Sequence, residues 1–358
     1  MKTLIVPCGG KSSRFPNMRP KYLLTHPDGE LMIQKAVSCL DLDVFDRIVI
    51  TIVREHVEKY EAELIIRQAF DMDNNKKFEL VILDEFTFCQ AETIEQTIKK
   101  ANITGEFVIK DSDNYTVFEK DAFANLQSFI GGLNIQHFKR EIYRLGGKSF
   151  LKVNDQGIIY DIIEKKIESE IICIGVYGFA SDQIFSKAYQ TLLQERGNNN
   201  EIFISHVVSY LIATGMAVYQ YKEAVDYEDW GTLKDWRNVQ KRFGTYFVDI
   251  DGVLFTNRGK YGSKNWSNSF EVIPENFATL RKLTEEGAQI IVTTSREEKY
   301  RDKLMQIFEE QKLPVYAMVM GCSHACRTLI NDFAPTNPYP SACAINIPRN
   351  AMLDSYIE

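Results

Sequence analysis

Along the first hundred residues, short apolar runs alternate with more polar, helix-like stretches. TLIVP, RIVITIV, FELVIL and GEFVIK predict strands, and LMIQKAVSCL, EHVEKYEAELIIRQAF and TIEQTIKKA predict the helices between them. Such alternation implies an α/β architecture with a mostly parallel sheet covered by helices. Ligands of such sheets bind beyond the carboxyl ends of the strands. Two polar segments lie there, the loop after TLIVP and the turn DSDN after FVIK. The middle of the chain is strand-rich, with SFLKVND, GIIYDIIEK and EIICIGVYGF, and DQG predicts a hairpin turn between the first two. EIFISHVVSYLIATG predicts a helix closed by glycine.

A second, shorter α/β rhythm begins near Gly244. YFVDIDGVLF, AQIIVTTSR, VYAMVMG and TLINDF predict strands, and ENFATLRKLTEEG and EKYRDKLMQIFEEQ predict helices. The expected domains are residues 1–240 and 244–358. Their joint falls in DWRNVQKRFGT, where no Pro/Ser-rich linker appears.

A length of 358 residues fits two such domains. Apolar residues make up 45% and charged residues 25%, the balance of an ordinary soluble globular protein. No apolar run is long enough to span a bilayer, and the start lacks a signal-peptide pattern, so a cytoplasmic protein without membrane partners is expected. A net charge of −7 gives no general attraction to nucleic acid. The seven scattered cysteines read as reduced thiols. Cys322, His324 and Cys326 of GCSHAC read as loop and core residues, since a zinc site needs more ligands at a definite spacing.

The opening loop, PCGGKSSRF, carries the Gly-Lys-Ser of a phosphate loop, but the glycine that motif requires five positions earlier is Ile5. The dinucleotide fingerprint G-x-G-x-x-G also fails. The strand, then Cys8, Gly9, Gly10, Lys11, Ser12, Ser13 and Arg14 after Pro7, then Pro20 and Lys21 of PKYLL, resemble the signature of nucleotidyltransferases that make nucleotide-sugars and related activated alcohols. Ser12 stands where that family usually has a third glycine. Small residues let backbone N–H groups approach a triphosphate. Lys11 and Arg14 suit the leaving pyrophosphate, and Lys21 suits the α-phosphate and the incoming phosphate. The resemblance covers residues 1–240 and implies a Rossmann-like domain that uses magnesium held by carboxylates. It places Asp111 and Asp113 at one strand end and Asp229 in EDWGTLKDW as metal ligands. It points to Gln90, Ala91, Glu92 and Thr93 for base and ribose, though the same stretch reads equally as a plain helix start. Glu164, Lys165 and Gly175 are implied on the acceptor side.

YFVDIDGVLF resembles the first motif of haloacid-dehalogenase-like (HAD-like) phosphatases, over residues 245–358. That resemblance implies Asp249 as nucleophile and Asp251 as general acid/base, since residues two apart on a strand point the same way. It implies Thr294 and Ser295 for the phosphoryl group. Arg327, or alternatively Lys303, would balance its charge, and Asp332, beside Asn331, would complete a magnesium site with Asp249 and Asp251.

The expected activity is therefore bifunctional. One domain transfers a nucleotidyl group from a nucleoside triphosphate, CTP slightly favoured, to a sugar phosphate or small phosphorylated alcohol, and the other hydrolyses a phosphate monoester. A surface-glycan precursor pathway is the analogy such fusions suggest, and a homo-oligomer is left open. Two other classes stay open: a scaffold that binds nucleotide and phosphate without turnover, and a metal-dependent glycosyltransferase using DSD as its D-x-D.

Overall fold

The computed structural model describes residues 1–357 apart from 123, 126, 137–144, 198–200, 260–269, 333 and 335–339. It contains two compact units, Met1–Asp235 and Trp236–Glu358.

The first unit opens with strand β1 (Thr3–Pro7), helix α1 (Met32–Ser38), β2 (Arg47–Val53), helices α2 (Arg54–Tyr60) and α3 (Ala62–Ala69), β3 (Phe78–Leu83), α4 (Gln90–Lys100) and β4 (Phe107–Lys110). These four strands lie parallel in the order β3-β2-β1-β4. Their alternate residues feed two cores. Leu4, Val6, Ile48 and Ile50 face one layer, and Ile5, Val49 and Ile109 the other. Burial on both faces explains why these strands read as solid apolar runs. The single helix expected over EHVEKYEAELIIRQAF is two, because Glu61 takes a left-handed conformation (φ 55°) between them.

The unit continues through β5 (Asn114–Val117), β6 (Phe129–Asn134), β7 (Ser149–Val153), β8 (Ile158–Glu164), β9 (Ile171–Phe179), α5 (Asp182–Arg196), α6 (Ile204–Ala213), β10 (Tyr219–Glu223) and β11 (Asp226–Asp229). The nine-stranded sheet runs β3-β2-β1-β4-β9-β6-β10-β8-β7, with β9 antiparallel to both β4 and β6. The mostly parallel sheet is thus corrected to a mixed one, parallel in its first four strands. The connection β7–β8 is too short for a crossover helix, so these two strands reverse, and β9 then pairs antiparallel with β7 as well. DQG forms the expected hairpin, with Gly157 at φ 76°.

The division between units falls inside helix α7 (Leu233–Arg242). The second unit has β12 (Thr245–Asp249), α8 (Pro274–Glu286), β13 (Gln289–Thr293), α9 (Arg301–Glu310) and β14 (Ala317–Val319), with the strands parallel in the order β12-β13-β14. Helix α8 starts on a proline in its first turn and stops at Gly287, φ 119°. Ile250, Phe255, Phe277, Val292 and Phe308 fill its core. Of the predicted strand TLINDF, residues 328–332 form no strand, and Phe333 lies outside the described residues. Leu329 and Ile330 are exposed, and without a covering layer an apolar run gains nothing from the extended form.

Candidate active site

The chain leaves β1 across the sheet's carboxyl edge. Cys8 is buried, its N–H donates to the Thr51 carbonyl (2.7 Å), and burial pushes its thiol up to about 12. Gly9 passes so close to the start of α4 that a Cβ would stand 2.9 Å from both the methyl and the hydroxyl of Thr93. At Gly10 a Cβ would meet no atom within 4 Å, so the loop presents bare backbone to open space. Ser12, in the place of the resembling family's glycine, keeps glycine's backbone shape at φ 50°. Its carbonyl accepts from Phe15 N (2.8 Å) and its hydroxyl from Lys21 N (3.3 Å). Buried Phe15 anchors the loop while Lys11, Ser13 and Arg14 stay exposed, with the Lys11 ammonium 5.6 Å from the Phe86 ring centre.

Lys21 opens a single 3-10 turn, Lys21–Leu23, fixed by burial of Tyr22 and Leu23. Its ammonium pairs with Asp113 Oδ2, and Arg14 Nη2 approaches the same oxygen at 3.8 Å. Asp113 sits in the turn between β4 and β5. That turn is built on Lys110, wholly buried at the end of β4, whose Nζ donates to the Asp111 carbonyl (2.8 Å), the Asn114 carbonyl (2.9 Å) and Asn114 Oδ1 (2.6 Å). Burial lowers the Lys110 ammonium's pKa. Asp111 N–H donates to the Gly175 carbonyl (2.8 Å), and Asp111 Oδ1 accepts from Gln90 Nε2 (2.5 Å). Gly175 has φ 76°, and its missing Cβ would overlap the Asp111 carboxyl.

Asp229 arrives from far along the chain. β11 pairs antiparallel with β5, setting Asp229 opposite Asn114, and Trp230 N–H donates to the Asp113 carbonyl (2.9 Å). A Cβ on Gly231 would stand 3.1 Å from Asp229 Oδ1, 3.3 Å from Asp113 Oδ2 and 3.4 Å from Arg14 Nη1. Two carboxylates and a guanidinium therefore border one small space that only glycine leaves clear. Lys148, just before β7, holds Asp229 Oδ2 at 2.5 Å and donates to the Tyr227 hydroxyl at 2.8 Å.

Burial alone would raise both neighbouring aspartates. For Asp113, Lys21 and Arg14 outweigh it and hold the carboxyl below its ordinary range. For Asp111, burial and then the charge of Asp113 push the carboxyl up. Burial would lower Lys148, but Tyr227 and Asp229 more than compensate and raise it.

Asp111, Asp113 and Asp229 are brought into one neighbourhood, yet among the described residues no three His, Cys, Asp or Glu side chains converge as a metal-holding group. Asp113 and Asp229 meet at Gly231, while Asp111 is taken by Gln90. Two carboxylates suffice for magnesium when substrate phosphates and water complete its shell, so the Gly231 space fits that ion. Of the other expected residues, Ala91 and Thr93 are buried in packing, and Glu92 accepts from Phe88 N (2.6 Å) and Gln96 Nε2 (3.1 Å), shaping the start of α4. Glu164 accepts from the Ser149 and Ser205 hydroxyls (2.5 and 2.7 Å). The Lys165 ammonium lies 4.0 Å from the Phe203 ring centre. Lys110, Lys148 and Tyr227 are additions the sequence reading missed. A lysine ending the apolar run FVIK is a usable signal for the first, and nothing local marks the other two. A groove of about 620 Å³ lined by Glu106, Ser128, Ala180 and Gln220 lies at the opposite end of β4, away from these residues.

The second unit has its own charged cluster at the end of β12. Arg327 Nη2 donates to Asp249 Oδ1 at 3.3 Å. Arg296, wholly buried, forks Asp251 through Nε to Oδ2 (3.0 Å) and Nη2 to Oδ1 (2.7 Å). Thr294 is buried and its hydroxyl accepts from Arg296 N (3.1 Å); Ser295 beside it is half-buried. Burial and the charge of Asp251 push Asp249 up, against the pull of Arg327. Of the expected magnesium set, Asp332 is exposed in an irregular segment, and among the described residues it does not form a metal-holding group with Asp249 and Asp251. Lys303 is exposed, and Arg327 is the cation that meets Asp249.

No protein-family model matches the chain, and no curated protein matches it. Solved structures do. A nucleoside-diphosphate-sugar pyrophosphorylase from Vibrio cholerae aligns over 66% of this chain and 98% of its own, with a TM-score of 0.55 and 18% identity. A Bacillus anthracis protein described as a glucose-1-phosphate thymidylyltransferase aligns over 67% and 94%, with a TM-score of 0.52 and 19% identity. At such identities the likeness is one of fold: about two thirds of this chain has the α/β fold seen in pyrophosphorylase-type nucleotidyltransferases. Among the described residues no helix is long and apolar enough to cross a membrane.

Proposed function

We propose that residues 1–235 transfer a nucleotidyl group from a nucleoside triphosphate to the phosphate of a sugar or polyol phosphate, releasing pyrophosphate. The observation that carries this reading is the meeting of Asp113, Asp229 and Arg14 at Gly231, with Lys21 on Asp113, beside a loop whose Gly10 faces open space. An acceptor phosphate oxygen attacks the α-phosphorus, the bond from that phosphorus to the β-phosphate bridge oxygen breaks, and its electron pair leaves with pyrophosphate. Lys21 neutralises the α-phosphate and steers the incoming anion, and Lys11 and Arg14 receive the charge that grows on the leaving group. Such catalysis is mostly positioning and charge stabilisation. Magnesium held by Asp113 and Asp229 would supply further charge neutralisation at the phosphates. CTP is the first donor to test, because Ser12 departs from the hexose-1-phosphate type of loop.

A second reading applies to residues 236–358, as a HAD-like phosphatase, favoured by Asp249 at a strand end facing Arg327. Asp249 would attack a phosphate monoester, forming an aspartyl phosphate as the ester P–O bond breaks. Asp251 would protonate the leaving oxygen and later take the proton of the water that hydrolyses the intermediate. Because Arg296 engages both Asp251 oxygens, that role requires exchange of one of those bonds.

The test is pyrophosphate and phosphate release with magnesium, four triphosphates and a panel of sugar and polyol phosphates. Wild type runs beside Lys21→Ala and Asp249→Asn. Pyrophosphate release lost only in the first, and phosphate release lost only in the second, is the expected result. No acceptor-dependent pyrophosphate with any triphosphate would overturn the transferase reading. Phosphate release indifferent to Asp249→Asn would overturn the phosphatase reading.

A further inference from the structure

We propose that Lys148 is a displaceable counter-ion that couples divalent-cation binding at Asp229 to the arrival of a triphosphate, a role that rests on the nucleotidyltransferase reading of the first unit. Both oxygens of Asp229 are already engaged, Oδ2 by Lys148 at 2.5 Å and Oδ1 by the Gly231 N–H at 3.1 Å. The facing oxygen of Asp113 is likewise held by Lys21 and approached by Arg14. The two carboxylates that border the Gly231 space therefore each carry a lysine. Asp229 faces that space with Oδ1, so a cation that takes this carboxylate through both oxygens must push the Lys148 ammonium off Oδ2. The Lys148 side chain is only 18% exposed, so losing its counter-ion there is unfavourable unless another anion receives it. Triphosphate oxygens are such an anion, and a lysine, a hydrated point charge on a flexible stem, can follow them. The Lys148 backbone is tied to the end of β8, its carbonyl accepting from Lys165 N at 3.1 Å, so the exchange asks only the side chain to move. By linkage, the triphosphate that draws the ammonium away must strengthen cation binding, and the cation must strengthen triphosphate binding to the same degree.

The probes are Mn²⁺ and inorganic triphosphate, with bound Mn²⁺ read by electron paramagnetic resonance on the full chain at pH 8. Asp249→Asn is the background, so that the second carboxylate pair does not contribute. In that background with Lys148 intact, Mn²⁺ alone should bind weakly and triphosphate should tighten it at least tenfold beyond Mn²⁺–triphosphate complexation in solution. Adding Lys148→Met should bind Mn²⁺ alone at least tenfold more tightly and lose most of the coupling, and Lys148→Arg should regain part of it. Mn²⁺ binding unchanged in Lys148→Met, with native circular dichroism and melting, would overturn the role. Should the methionine variant not fold, Lys148→Gln makes the same comparison. Failure to release pyrophosphate with any donor and acceptor would sink the transferase reading while leaving the Mn²⁺ result interpretable. Pyrophosphate release with Mn²⁺ binding indifferent to Lys148 would sink only the role of Lys148.

Discussion

Ser12 offers a test of whether the opening loop is built to glycine's shape. Its φ of 50° lies in the left-handed region, where an L side chain costs about 1–2 kcal/mol. Ser12→Gly removes that cost. It also loses the hydroxyl that accepts from Lys21 N, a long bond at 3.3 Å worth about 0.5 kcal/mol, and loosens the unfolded chain by about 0.5–1 kcal/mol. These effects nearly cancel, so Ser12→Gly should match wild type to within about 1 kcal/mol. Ser12→Ala keeps the backbone strain and loses the hydroxyl, so it should fall below wild type by about 0.5–1 kcal/mol and below the glycine variant by a similar amount. Differential scanning calorimetry of the three proteins side by side reads this order. The hydroxyl also ties the loop to the turn that carries Lys21, so both variants should lose a few-fold in kcat/KM for pyrophosphate formation. An alanine variant as stable as wild type, or more stable than the glycine variant, would refute the idea that Ser12 occupies a strained, glycine-shaped position.

Two further outcomes follow from geometry and burial. Gly231→Ala puts a Cβ 3.1–3.4 Å from Asp229, Asp113 and Arg14, so each must yield by a few tenths of an ångström. Pyrophosphate formation should fall about tenfold or more in kcat/KM while the melting temperature shifts by only a few degrees. His56 is buried, bonded at Nδ1 to the Tyr22 hydroxyl (3.0 Å), and burial lowers its pKa to about 4. The fold thus favours the neutral imidazole, against an unfolded value of about 6.5. Its contribution is fully present above about pH 6.5, is lost as pH falls towards 4, and totals about 3 kcal/mol. Denaturant titrations between pH 7 and 4 should show that slope in wild type and a shallower one in His56→Gln.

Much of the first unit was legible because its physics is local. Strands buried on both faces announce themselves as apolar runs, and β1 to β4 do so. The loop from Cys8 to Arg14 and the turn at Lys21 stand out because small and cationic residues crowd into one short stretch, the composition that the proposed phosphate chemistry calls for. What stayed hidden is long-range. The antiparallel insertion of β9 between β4 and β6 depends on pairings no local pattern encodes. So does the ladder that sets Asp229 opposite Asn114, and with it the lysine from the turn before β7. Helix α2 and helix α3 read as one because Glu61, not a glycine, makes the left-handed break. TLINDF misled for the opposite reason: its composition suits a strand, but among the described residues no layer buries Leu329 and Ile330.

Under the two proposed readings the units face one electrostatic problem, paired carboxylates set to handle phosphate, and their counter-ions differ in kind. In the first unit Lys21 and Lys148 hold the two aspartates that meet at Gly231. A lysine binds through a single rotatable ammonium and can exchange one anion for another. In the second unit Arg296 grips both oxygens of Asp251 with a planar fork, itself wholly buried and stacked 4.9 Å from the Phe270 ring centre. Such a fork fixes orientation, and breaking it strands a buried charge. The lysine pairs therefore suit carboxylates that must be handed over to an arriving ligand. The arginine pair suits a carboxylate whose direction is to be held, whereas Asp249 is met by the more exposed Arg327 at 3.3 Å and by the Ile250 N–H at 2.9 Å, a looser hold that suits the nucleophile's part in the proposed phosphatase reading.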